Sequence, residues 1–395
     1  MSRPKVLVVG DGGVTTGFAR VTESLLARLC DRYEFHHLAV NYNGDPHGLS
    51  WNLYPAITGG DICGVGRVAE LYVAVKPEFV FIVSDPWVVA DHLKAIYKVD
   101  PDARVIAYCP VDGAPLNPKW FAQAGKLERL VAYTEYGRGE IEKALPSGQE
   151  PVLEVVPHGV DVSQFYSLES GGYAAKVRLG LIKDGDPEPF IVLNANQNQP
   201  RKRIDLTIRG FAQFAQEVTG DVRLYLHMGG QSEIGWDIIR LSERFGVEDR
   251  LVLSGPPKKR HPELSVDMLN LIYNACDVGI NTAGGEGWGL VSFEHAAVGR
   301  AQIVPRHTSC AEIWDGAAEL LEVREVVTQP RTNHDFSFTS AHDVAKAIDT
   351  LYRDPARREE VARRCCAVSR NEEYSWDVIA VRWAQLFQEA CCQTT

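Results

Sequence analysis

Two glutamates in one short stretch carry the strongest chemical signal in this sequence. Residues 277–305 read DVGINTAGGEGWGLVSFEHAAVGRAQIVP. Asp277 to Asn281 is a short apolar run, expected as a buried strand. Gly284, Gly285, Gly287 and Gly289 then let the backbone turn tightly and come close to a ligand. A helix is expected next, with Leu290, Val291, Ala297 and Val298 on one face and Glu294 on that same face. A carboxylate amid an apolar stripe is costly unless something donates hydrogen bonds to it. Glu286 sits on the loop before the helix, where free backbone N–H groups favour anions. A ligand bearing phosphate and hydroxyls would satisfy all of these groups. So would a purely structural arrangement with an Arg from a neighbouring strand. The residues alone do not separate the two readings.

Other stretches place polar chemistry at strand ends. The loop NANQNQPRKRID puts Arg201, Lys202 and Arg203 at a helix start. Such a run is often a solvated face, but cations there oppose the helix dipole, and a bound anion would relieve that cost. Asp112, in YCPVDGAP, follows the apolar run Val105–Cys109, and Asp11 and Asp85 stand at two further strand ends. Each is equally at home in an Asx-turn. Near the N-terminus, Lys5–Val9 leads into GDGGVTTGFAR. Thr16 is the expected N-cap of a helix that buries Phe18, Val21, Leu25 and Leu29. The glycine loop with Gly12 and Gly13 is not GxGxxG, which disfavours a dinucleotide-dependent dehydrogenase.

The segment EGWGLVSFE, with Glu286 and Glu294, resembles the paired-glutamate motif of retaining glycosyltransferases of family 4, which have the GT-B fold. Gly285, Gly287, Gly289, Ala297 and Gly299 fit the same motif. The resemblance extends to Tyr133–Arg138, to VVPHGVD at 155–161 and to Phe165. It implies a nucleotide-diphosphate sugar as donor. Glu294 would bind the donor ribose, and Glu286 the hydroxyls of the transferred sugar. Gly287, Trp288, Gly289 and Leu290 would line the same site, and Gly12 and Gly13 would lie beside the diphosphate. Lys202 takes the family's diphosphate-binding Lys position. Gln197 stands where Arg is common, so Arg201 or Arg203 is left to supply a second charge. Asp112 occupies a position where the family carries His or Asp facing the acceptor. Asp112, Glu286 and Lys202 are therefore the catalytic candidates. His158 replaces a usual Asn and reads as structural. His227–Gly230 and Ser254–Pro257 resemble loops bordering the donor. His307–Glu312 reads as a turn and helix cap.

The supporting elements fit that implication. At 395 residues the chain exceeds one ordinary core, and 45% hydrophobic with 24% charged residues describes a globular protein. Apolar runs at Phe35–Val40, Phe79–Val83, Val105–Cys109 and Leu130–Tyr133 alternate with helical or loop segments. A second series begins at Phe190–Leu193 and continues through Leu224–Leu226, Leu251–Leu253, Val278–Ile280, Gln302–Val304 and Glu319–Glu322. Such alternation implies parallel sheets wound on both sides. The expected fold is α/β, GT-B: two doubly wound Rossmann-like domains with a cleft between them and a C-terminal helix returning to the first. The domains are expected at 1–166 and 190–372, with a Gly-, Pro- and Ser-rich linker at 167–189 and the returning helix at 373–395. Its stripe of Trp376, Ile379, Trp383, Leu386 and Phe387 reads as core.

The net charge of −11 disfavours general binding to nucleic acid or anionic membranes. No apolar run reaches membrane-span length and no signal peptide is evident, so a cytoplasmic location is expected. Nine scattered cysteines without CxxC spacing suggest reduced thiols and no zinc. Neither a metal nor any other cofactor is expected, because the basic loop can stabilise a leaving diphosphate. The expected acceptor is a glycan or a small soluble molecule, with a modified base in DNA as the less favoured alternative. A sugar-nucleotide epimerase, an inverting transferase or a non-catalytic binding protein are the rival readings.

Overall fold

The apolar runs bury both faces, as strands of a parallel sheet between two helix layers must. In the computed structural model, which describes residues 3–231, 234–255, 262, 264–330 and 332–392, they build two separate sheets. The chain divides into one unit of residues 1–159 with 372–395 and a second of residues 160–371.

The first unit holds β1 (Lys5–Asp11), β2 (Glu34–Val40), β3 (Asn52–Pro55), β4 (Phe79–Val83), β5 (Val105–Cys109), β6 (Arg129–Ala132) and β7 (Leu153–Val155), all parallel, in the order β3-β2-β1-β4-β5-β6-β7. Helices α1 (Gly17–Leu29), α2 (Val65–Val75), α3 (Pro86–Val99) and α4 (Glu135–Ala144) connect them. Thr16 caps α1 as its spacing predicts, accepting from the Ala19 amide at 3.1 Å.

The second unit holds α5 (Gly171–Arg178), β8 (Phe190–Asn194), α6 (Ile204–Gln216), β9 (Val222–Leu226), α7 (Ile238–Phe245), β10 (Leu251–Leu253), α8 (Val266–Ala275) and β11 (Val278–Ile280). It continues with α9 (Leu290–Ala297), β12 (Ala301–Pro305), α10 (Thr308–Trp314), β13 (Glu319–Leu321), the antiparallel hairpin β14 (Glu325–Thr328) and β15 (Asp335–Phe338), α11 (Ala341–Arg353) and α12 (Pro355–Ser369). Its main sheet is parallel, in the order β10-β9-β8-β11-β12-β13.

The last helix, α13 (Trp376–Cys392), belongs to the first unit. Its apolar stripe is core: Trp383 packs on Phe81 and Tyr108, and Phe387 on Phe79, Phe81 and Tyr33. Arg28 to Asp377 (2.5 Å) and Arg129 to Glu389 (2.7 Å) hold its flank. His158 is enclosed by Tyr108, Tyr133 and Trp376, which fits its structural reading.

Residues 167–189 are more than a connector. They carry α5, which packs on α8, and Lys176 is buried there with its ammonium bonded to Glu188 (2.8 Å), the Pro189 carbonyl (3.0 Å) and Asp277 (3.0 Å). A buried ammonium needs such partners, and they tie the segment to the second unit. Three elements escape a reading of apolar runs. The edge strands β3 and β7 are short and only partly buried, and the strands of the β14–β15 hairpin are short, half polar and mostly exposed or half-buried.

Candidate functional site

The strand order of the second sheet reverses between β8 and β11, which lie side by side while their connections leave in opposite directions. Ligands of doubly wound sheets sit at such a point, outside the carboxyl ends of the strands. The loop after β8 carries Arg201 and Lys202; the loop after β11 carries Glu286.

Those loops meet. Lys202 Nζ bonds Glu286 Oε1 at 2.5 Å, and Asn281 Nδ2 donates to the same oxygen at 2.9 Å. Arg201 lies 3.6 Å from Glu286 Oε2, and its guanidinium bonds the Gly285 carbonyl. Glu286 is only 4% exposed. Burial pushes its pKa up, but Lys202, Arg201 and the bonds from Lys202 and Asn281 outweigh that and lower it to about 2. The carboxylate is therefore ionised throughout the neutral range.

The loop is pinned from behind. Thr308 Oγ1 accepts from the Glu286 amide at 3.1 Å, and Ser309 Oγ donates to the Glu286 carbonyl at 2.8 Å. The helix α10 begins at Thr308 with His307 in the cap position, which fits the reading of His307–Glu312 as a turn and helix cap. His307 Nε2 bonds the Ala283 carbonyl at 3.0 Å, and burial lowers its pKa to about 4. The β14–β15 hairpin closes the other side. The Ser337 amide donates to the Gly284 carbonyl at 2.9 Å, and a Cβ on Gly284 would lie 2.4 Å from the Phe338 ring.

Glu294 is buried in α9 at 2% exposure and accepts from the Tyr273 hydroxyl at 3.0 Å. The expected one-sided apolar stripe is not what α9 shows. Leu290 and Val291 are half-buried, whereas residues 292–298 are all buried, so the helix is enclosed nearly all round. Gly289, at φ +92°, turns the chain into it, in a backbone region that suits glycine. Gly287 and Trp288 are buried beside it, and Trp288 packs on Phe293 at 5.2 Å.

Arg203 points elsewhere: it pairs in two-pronged fashion with Asp205 (2.9 Å) and stacks over Phe338 at 4.4 Å. Gln197 is half-buried and accepts from Gln199 at 2.9 Å. His227 meets Ser254 at 2.8 Å, so two loops named from sequence do come together; Pro256 and Pro257 lie outside the described residues. Sequence reasoning missed Asn281, Tyr273 and the Thr308–Ser309 pair. Only Asn281 had a signal, a polar amide ending an apolar strand.

In the first unit, Asp112 is half-buried on the loop after β5. Burial, then the charges of Glu140 and Asp112, push the Tyr136 phenol up. Asp11 is held by Thr16 (2.5 Å) and Asn41 (3.1 Å). Gly12 is buried, and a Cβ there would lie 2.4 Å from the His37 ring. The Gly13 amide donates to Glu23 at 2.8 Å. This loop therefore offers a carboxylate beside its amides, which weakens it as a phosphate cradle.

Solved structures share this architecture along the whole chain. An Anabaena HepE structure in complex with UDP and glucose aligns over 98% of this chain and 100% of its own, at TM-score 0.71 and 15% identity. Sucrose-phosphate synthase from Thermosynechococcus elongatus aligns over 98% and 99%, at 0.73 and 15%. WaaG, a glycosyltransferase involved in lipopolysaccharide biosynthesis, aligns over 97% and 99%, at 0.70 and 12%. The fold is GT-B. Residues 222–385 of this GT-B chain also match a family model described as glycosyl transferase-like, which runs from β9 into α13 and contains Glu286 and Glu294. No curated protein matches the sequence. Among the described residues of the GT-B chain, no helix is long and apolar enough to cross a membrane and no group of three His, Cys, Asp or Glu could hold a metal ion.

Proposed function

We propose that this protein is a retaining, metal-independent glycosyltransferase that moves a sugar from a UDP- or GDP-sugar to a hydroxyl of a glycan or small soluble acceptor. The observation that carries this reading is the cluster of Lys202 and Arg201 around the buried Glu286 at the reversal point of the second sheet, with Glu286 inside the segment that matches a glycosyl transferase-like family. The UDP and glucose in the complex of the fold relative HepE, and the paired glutamates, support a nucleotide-sugar donor.

In this mechanism the acceptor oxygen bonds to the anomeric carbon on the same face from which the diphosphate departs, as the bond from that carbon to the diphosphate breaks, so the configuration is retained. The acceptor's proton passes to a base or to the departing phosphate oxygen. Lys202 and Arg201 take up the leaving-group charge, and in a water-poor site such preplaced cations act strongly. Arg201 is the second cation of choice, because Arg203 is already committed to Asp205 and Phe338. Gln197 and the Gly287–Leu290 segment complete the donor site. Glu286, kept ionised, accepts from hydroxyls of the transferred sugar, and Glu294 with Tyr273 receives the ribose hydroxyls. Gly12 and Gly13 contribute less to the diphosphate than their spacing suggests, since Glu23 already occupies the Gly13 amide. Asp112 positions or deprotonates the acceptor hydroxyl.

Donor hydrolysis in the presence of a panel of UDP- and GDP-sugars tests the reading. Slow release of one sugar with retained anomeric configuration supports it. Binding without release favours a non-catalytic sugar-nucleotide protein, and inverted product overturns the retaining assignment.

A further inference from the structure

Two main-chain outliers flank the Lys202–Glu286 pair. Arg203, next to Lys202, has φ +47°, and Thr308, whose hydroxyl bonds the Glu286 amide, has φ +48°. That region suits glycine, and a β-branched side chain there is strained. A turn into α10 could be built with glycine and no strain. Strain of this kind persists only where the surroundings fix it, and it gathers at functional sites. What Thr308 adds over glycine is a hydroxyl.

The directions of the hydrogen bonds around that hydroxyl follow from the groups involved. The Ala283 carbonyl can only accept, so His307 Nε2, 3.0 Å away, carries a proton. Burial lowers the His307 pKa, so the ring is neutral at neutral pH and Nδ1 accepts. Its partner is Thr308 Oγ1 at 3.2 Å, which donates its one hydrogen there. The lone pairs of that oxygen are left for the Glu286 amide at 3.1 Å. One relay therefore runs from the Glu286 amide through Thr308 and His307 to the Ala283 carbonyl. Gly284 and Gly285, where the main chain is freest, lie between its two ends. The Ser309 hydroxyl adds a bond to the Glu286 carbonyl at 2.8 Å.

We propose that His307 and Thr308 are positioning residues, which hold Glu286 through its own main chain at the place where it meets Lys202. Bonds linked in series strengthen one another in a buried setting, and they close the glycine loop upon itself. That Glu286 then meets hydroxyls of the transferred sugar rests on the transferase reading; the relay itself does not.

Three substitutions separate positioning from simple support of the fold. Thr308→Ser keeps the hydroxyl, Thr308→Val keeps the shape without it, and Thr308→Gly removes hydroxyl and strain together. The full-length variants are compared in sugar release from the donor that the hydrolysis panel selects, in UDP and GDP affinity by calorimetry, and in exchange of the Glu286 amide hydrogen by NMR. Thr308→Ser should release sugar at nearly the wild-type rate. Thr308→Val and Thr308→Gly should release it about ten- to a hundredfold more slowly. Their Glu286 amide should exchange faster, with nucleotide affinity unchanged, since the nucleotide is assigned to Glu294. Thr308→Gly should withstand more urea than Thr308→Val, because glycine relieves the strain, yet release sugar no faster. In wild type the His307 ring should carry its proton on Nε2. The proposal is overturned by a proton on Nδ1 instead, by turnover that follows urea resistance across the variants, or by a folded Thr308→Gly with wild-type turnover or wild-type protection of the Glu286 amide. A wild type that releases sugar from no donor removes the transferase reading, and the ring proton and the amide exchange then decide the relay by themselves.

Discussion

Lys202 Nζ and Glu286 Oε1 lie 2.5 Å apart although 84 positions separate them in the sequence. The parallel neighbours β8 and β11, where the strand order of the second sheet reverses, bring their loops together, and the pair is sealed from behind by Asn281, Thr308 and Ser309. A charge pair this enclosed is sensitive to losing one partner, because the other remains buried.

Removing Lys202 should therefore do two things. Lys202→Ala should abolish most turnover, and it should also destabilise the second unit by about 2–3 kcal/mol through the stranded Glu286. The Lys202→Met/Glu286→Gln double variant should recover about 1–3 kcal/mol relative to the sum of the single changes while staying inactive. A strictly additive urea-denaturation cycle would show that the pair is not coupled.

How much of this was legible in advance depends on the residue. The apolar strands, the glycine loop and the paired glutamates announce themselves, because burial on two faces and tight turns restrict residue choice. Lys202 could be placed near a phosphate but not against Glu286, since a contact between loops after two different strands has no local signature. The different surroundings of Arg201 and Arg203 are equally hidden: both sit in one basic run, and only the fold puts Arg203 against Asp205 and Phe338 and Arg201 beside Glu286. Phe338 lies on a hairpin that no periodicity revealed. The linker reading of 167–189 followed composition, whereas Lys176 and its acidic partners fix that segment in the second unit.

Acid should unfold the protein early. Burial lowers the pKa of His37, His92 and His307 to about 4 and of His158 and His295 to about 3. A buried neutral imidazole binds fewer protons folded than unfolded between those values and its ordinary value of about 6.5. Its stabilising contribution is thus full above that ordinary value and is lost as pH falls. Each contributes up to about 1.4 kcal/mol per pH unit of loss in that window. Glu286, lowered to about 2, retains its contribution above its unfolded value and loses it only as pH falls towards 2. The urea midpoint should be flat above neutrality and fall below pH about 6.5. Any of these five imidazoles titrating near its ordinary value in the folded protein, by NMR, would contradict the burial.

Activity should persist in excess EDTA if, as proposed, Lys202 and Arg201 supply the positive charge beside the leaving group. Complete loss restored by magnesium or manganese would refute that role for the two cations.

Asp112→Asn distinguishes an acceptor-side base from an Asx-turn. An Asn keeps most turn hydrogen bonds but cannot take a proton. Transfer should collapse, on the order of 10²-fold or more, while donor binding stays near wild type. Unchanged transfer would make Asp112 structural.

Calorimetric titration with the preferred UDP- or GDP-sugar shows whether the second unit holds its donor through Glu294, as proposed. Wild type should bind, Tyr273→Phe should bind somewhat more weakly, and Glu294→Ala should lose about 1.5–3 kcal/mol of affinity, as expected for charged hydrogen bonds. Equal donor affinity in wild type and a folded Glu294→Ala variant would remove Glu294 from the donor site.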